Sequence, residues 1–116
     1  MYVSPEARRR LEDIREAHEA LLGHIAAGDA HRHAFRAVYE ALESAIADVE
    51  DAELDAPAAD GGWSPMRVLM HLAEHDRQIE EARERGIEHM IEHGLEHARD
   101  LWVARAARTG ATNGRA

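Results

Sequence analysis

Cysteine is absent from the 116 residues, which excludes disulfides, thiolate metal ligands and cysteine nucleophiles together. No apolar run approaches the roughly 20 residues that span a bilayer, and the basic cluster Arg8-Arg9-Arg10 is not followed by a signal-peptide core. The expected location is therefore the cytoplasm, with no membrane partner. Aromatic residues make up only 4% of the chain, and β-branched runs are missing, so almost no strand is expected. Positive charge is also short. With 14 basic against 23 acidic residues, the formal net charge of -9 argues against a nucleic-acid backbone as the main partner. Against these absences stand nine histidines, whose positions decide what they can do.

Alanine, glutamate, arginine and leucine dominate, and four helical segments can be read. The first opens at Ser4-Pro5-Glu6, with Ser4 as N-cap. It carries the stripe Ala7, Leu11, Ile14, Leu21, Leu22 and Ile25, and it ends at Gly28-Asp29. The second repeats this spacing through Phe35, Val38, Leu42, Ile46 and Val49, and dissolves at Leu54-Asp55-Ala56-Pro57. After a loop to Gly61-Gly62, Ser64-Pro65 caps a third helix with the stripe Val68, Leu69, Leu72, Ile79 and Ala82. A fourth stripe follows in Ile87, Met90, Ile91, Ala98, Leu101 and Trp102. Short connections favour antiparallel neighbours, so the expected fold is all-α: an antiparallel four-helix up-down bundle over 1–108, with a disordered tail over 109–116. Gly86 is the expected turn. Because a helical glycine costs only about 1 kcal/mol, the alternative is one long C-terminal helix from Pro65 to Arg108, covered by a partner subunit.

At about 100° per residue, each histidine can be assigned to a face. His18 falls between Ile14 and Leu21, and His75 between Leu72 and Ile79, both on the apolar stripe. His71 lies at the flank and His97 at the stripe's edge. His24 points away, His89 and His93 read as outward, and His31 faces inward at the start of its helix, far from the others. A hairpin turning at Gly86 sets His75 level with His97, with His71 one turn further on and His18 near His75 and Gln78. His18, His71, His75 and His97 are thus the candidate metal ligands, suited to Zn, Ni or Fe. A lone inward histidine is usually a packed core residue. Matched depth on several helices is what raises these above it.

Glu74-His75, Glu88-His89, Glu92-His93 and Glu96-His97 recur, and they generate three His-x-x-Glu-His matches, from His71 to His75, His89 to His93 and His93 to His97, the last two overlapping. That pattern belongs to metallopeptidases. Overlapping copies in so short a chain instead read as a charged face drifting around a helix.

The stretch Gly61-Gly62-Trp63-Ser64-Pro65, followed by Val68-Leu69 and His71-Leu72-Ala73, resembles the DinB-like superfamily, which includes the bacillithiol and mycothiol S-transferases. The likeness covers roughly residues 35–85. It implies a divalent metal held by three histidines, with His71 as one ligand and a His-x-x-x-His pair on the last helix as the others. It also implies a small thiol as substrate or cofactor. The nearest such pair is His93/His97. Because His93 reads as outward, His18 is expected to take its place from the first helix.

Two functions follow. One is a DinB-like metal-binding protein acting as a metal-dependent thiol S-transferase or hydrolase. The other is a non-catalytic bundle serving in assembly or regulation. A chain of this length buries a modest core, so a homodimer is expected, with Leu101 and Trp102 as interface anchors.

Overall fold

Good helix formers punctuated by few breakers give helices almost throughout. The computed structural model describes residues 2–24, 28–58, 61–79 and 84–113. They form α1 (Pro5–His24), α2 (Asp29–Ile46), α3 (Asp51–Asp55), α4 (Pro65–Ile79) and α5 (Glu84–Asn113). There is no strand among the described residues, and no helix among them is long and apolar enough to cross a membrane. The four longer helices pack in the cyclic order α1–α2–α5–α4, compatible with a helical bundle, and α3 lies against α4.

Caps explain the helix starts. Ser64 Oγ accepts the Arg67 backbone N–H at 3.2 Å, and its carbonyl accepts that of Val68 at 3.1 Å, so Ser64 closes the first turn of α4 as its sequence suggests. Ser4 differs. Its carbonyl accepts from Arg8 at 2.8 Å, but its Oγ is buried with no hydrogen-bond partner among the described residues. α2 stops at Ile46, earlier than its stripe predicts. Two residues on, Asp48 adopts a left-handed conformation (φ 60°), which asparagine and aspartate tolerate best among residues with side chains. Its Oδ1 accepts the Tyr2 N–H at 3.1 Å, and its own N–H donates to the Tyr2 carbonyl at 2.7 Å. The N-terminal segment is thereby tied to the end of α2. Val49 and Leu54 still reach the core, but from this connection and from α3. The last turn of α2 lacks a basic residue of its own. Arg105 of α5 supplies one, donating to the carbonyls of Ser44 (3.1 Å) and Ala45 (3.2 Å) where the helix dipole is negative.

The apolar stripes meet in two clusters. The larger contains Leu11, Ile14, Val38, Leu42, Leu69, Leu72, Ala98 and Leu101; the smaller contains Leu21, Leu22, Phe35, Ile87 and Met90. Ile91 packs against both. Leu101, expected at a subunit interface, is 5% exposed and belongs to the chain's own core, whereas Trp102 is 44% exposed. Ile25 and Ala82 lie outside the described residues. α2 and α5 approach closely at Gly94, where a Cβ would meet Val38 Cγ1 at 2.5 Å.

α4 and α5 are separate helices packed on each other, so the chain between Pro65 and Arg108 is not one helix. Gly86, the expected turn, lies inside α5, and residues 80–83 lie outside the described residues. α5 runs past the expected end at Arg108 to Asn113; residues 114–116 lie outside the described residues.

Candidate metal centre

The histidines that stand opposite each other differ from those that a turn at Gly86 would pair. His75 meets His89 and His93, not His97, and His71 meets His93 and His97. The α5 residues Met90, Ala98 and Leu101 supply the apolar core, while His89, His93 and His97 recur at four-residue spacing and turn toward α4. His93, read from the sequence as outward, is half-buried and stands at the centre of the group.

Three Nε2 atoms converge. His93 Nε2 is 3.4 Å from His71 Nε2 and 3.1 Å from His97 Nε2. The opposite nitrogen, His93 Nδ1, is 3.1 Å from His75 Nδ1. Two sets of side chains bring their donor atoms within 4.8 Å of one another and could hold an ion: His71, His93 and His97, and His75, Asp76 and His93. The donor atoms of the first set fit a divalent cation. Metal–nitrogen bonds of about 2.0–2.1 Å around a tetrahedral ion leave neighbouring nitrogens about 3.3–3.4 Å apart, close to the 3.4 and 3.1 Å separations in the cluster. Protons can satisfy such nitrogens only pairwise; a shared cation satisfies all three.

The electrostatics favour the neutral, ligating form of these rings. Burial, followed by repulsion from His75, His97 and His71, pushes His93 down to about 4. Burial, with His97 and His75 next, also lowers His71 below the ordinary histidine range. Around the rings stand orienting groups. Trp63 meets His71 edge-on with ring centres 4.9 Å apart, and Asp100 Oδ2 lies 3.4 Å from His97 Nδ1.

His18 occupies a different place. It is 3% exposed, stacks on Phe35 at 4.3 Å, and its Nε2 is 2.8 Å from Asp76 Oδ2. It therefore stands behind Asp76 and does not join His71, His93 and His97. On its other side it lines a groove of about 480 Å³ between α1 and α2, with Arg15, Arg32 and Arg36. Asp76, absent from the sequence-based candidates, is fully buried. The signal for it was available, since an acidic residue two turns past Leu69 continues the inward face of α4. The sequence-based ligands thus divide. His71 and His97 come together with His93, His75 lies against the far side of His93, and His18 is separated from them by Asp76.

No family model matches the chain, and no solved structure matches it. Over 41 residues the chain is 42% identical to a protein of Geobacillus thermodenitrificans (strain NG80-2) named "Putative metal-dependent hydrolase". The match covers 35% of this chain but only 23% of that protein, so less than a quarter of the relative's length is represented. In this chain the histidine cluster is itself able to hold a metal ion.

Proposed function

We propose that the protein is a DinB-like, metal-dependent hydrolase in which His71, His93 and His97 hold a divalent cation. The observation that carries this reading is the convergence of three Nε2 atoms from α4 and α5. It matches the ligand set that the Trp-Ser-Pro resemblance implies, a histidine on one helix and a His-x-x-x-His pair on the last. Hydrolysis is preferred over thiol transfer because the relative's name carries it.

In this reading the ion supplies Lewis acidity to the reacting group. The chain's own residues prepare its seat. Ser64 and Pro65 set the start of α4 and so the rotation that aims His71, while Trp63 covers one edge of that ring. Asp100 Oδ2 lies 3.4 Å from His97 Nδ1, the nitrogen that faces away from the cluster, but makes no hydrogen bond to it. Low proton affinity at His71 and His93 keeps both rings available for ligation at neutral pH.

The test is elemental analysis of protein prepared without a histidine tag, alongside calorimetric titration with zinc. Wild type is expected to retain a tightly bound ion that His71→Ala and His97→Ala each remove, with loss of any ester or amide hydrolysis. An ion content that neither substitution lowers, or a wild type that binds none, overturns the proposal.

A further inference from the structure

We propose that His75, Asp76 and the Nδ1 atom of His93 form a second divalent-cation site, joined to the first through the His93 ring. The idea rests on the metal reading above and extends it to residues which that reading leaves unused. His93 turns a different nitrogen to each group, Nε2 to His71 and His97 and Nδ1 to His75 at 3.1 Å. The third donor is Asp76 Oδ1, 3.4 Å from His75 Nδ1. All three side chains bring a donor atom within 4.8 Å of the others.

The surroundings leave these donor atoms free for an ion. Asp76 is fully buried, and its other oxygen, Oδ2, is engaged by His18 Nε2 at 2.8 Å. The His18 N–H therefore fixes the carboxylate with Oδ1 turned toward His75. His75 in turn has its far nitrogen, Nε2, 3.3 Å from His89 Nε2. With the His75 Nε2–H donated to His89, the Nδ1 lone pair faces Asp76 and His93. Each proposed ligand is thus backed by an outer partner on the side away from the site, which is how ligating histidines and carboxylates are ordinarily held. A buried carboxylate needs partners for both oxygens, and a cation serves Oδ1 better than a histidine nitrogen at 3.4 Å. The mixed nitrogen and oxygen donor set suits a zinc-like ion. When both ions are bound, His93 is ligated at both nitrogens and its remaining N–H proton passes to solvent.

The probe is zinc alone, added to chelator-treated protein, with stoichiometry read by calorimetry and by elemental analysis after gel filtration. Wild type is expected to bind two zinc ions per chain. His75→Ala and Asp76→Asn should each bind one, with the affinity of the remaining ion changed less than about tenfold. Circular dichroism identifies any variant that fails to fold. His75 is only half-buried, so its variant keeps the test decisive if Asp76→Asn unfolds. One ion in wild type that His75→Ala leaves in place overturns the second site alone. Two ions that both persist in His75→Ala also overturn it, because the extra ion then lies elsewhere. Absence of any ion overturns the first site together with the second.

Discussion

His93 is held by contacts on both of its nitrogens, and its low proton affinity has a consequence for stability. In the unfolded chain a histidine titrates near its ordinary value of 6.5, whereas His93 in the folded protein titrates at about 4 and His71 is also lowered. The folded state therefore binds fewer protons than the unfolded state between these values. Stability is at its full value above about pH 6.5 and is lost as pH falls toward 4. Thermal melts of the metal-free protein should show a falling midpoint across that window, and His93→Ala should flatten the fall. A midpoint independent of pH over this range would contradict the burial and mutual repulsion assigned to these rings. Bound metal should be released over the same acid range, since protons and cations compete for the same nitrogens.

At the level of helices, the contact between Gly94 and Val38 governs how closely α5 lies on α2. Val38 is fully buried, and its branched side chain cannot swing away from a new methyl group. Gly94→Ala gains about 1 kcal/mol of helix propensity but overpacks the interface, which costs about 1–3 kcal/mol. The expected result is net destabilisation in urea unfolding, rescued at least in part by adding Val38→Ala. Most of the helix content was legible in the sequence because the apolar stripes are regular; of the predicted core positions with described side chains, Leu11, Ile14, Leu42, Leu69 and Leu72 are all fully buried. The pairing of the histidines was less legible. It depends on where the chain reverses between α4 and α5, and Gly86, the obvious breaker, sits inside a helix. A displacement of one turn was enough to exchange His97 for His93 opposite His75. Asp76 lies on the inward face of α4 by its spacing from Leu69, but its residue type points to the surface, and His18 on another helix supplies the partner that its burial needs.

For the whole molecule, the surface of α5 bears on assembly. Leu95, Trp102 and Val103 are exposed, at 43%, 44% and 63%. Leu95 and Trp102, seven residues apart, share one side of the helix. A homodimer formed through this side would cover them, and sedimentation equilibrium should show a dimer that Trp102→Glu converts to monomer without loss of helical signal. A monomeric wild type at the same concentration would remove the case for that interface. One property concerns all the helices together. His89, His93 and His97 repeat at an interval of one helical turn, as do His71 and His75, so this part of the α4–α5 contact works like a ruler with identical marks. Slid by one mark, it would offer a similar set of imidazoles to an ion. Gly94 has no such repeat, for Met90 and Ala98 stand one turn to either side of it. Only one alignment lets Val38 settle against bare backbone. That notch fixes where α5 sits on α2, and the set of imidazoles that α5 can turn toward α4 is thereby written partly in a glycine.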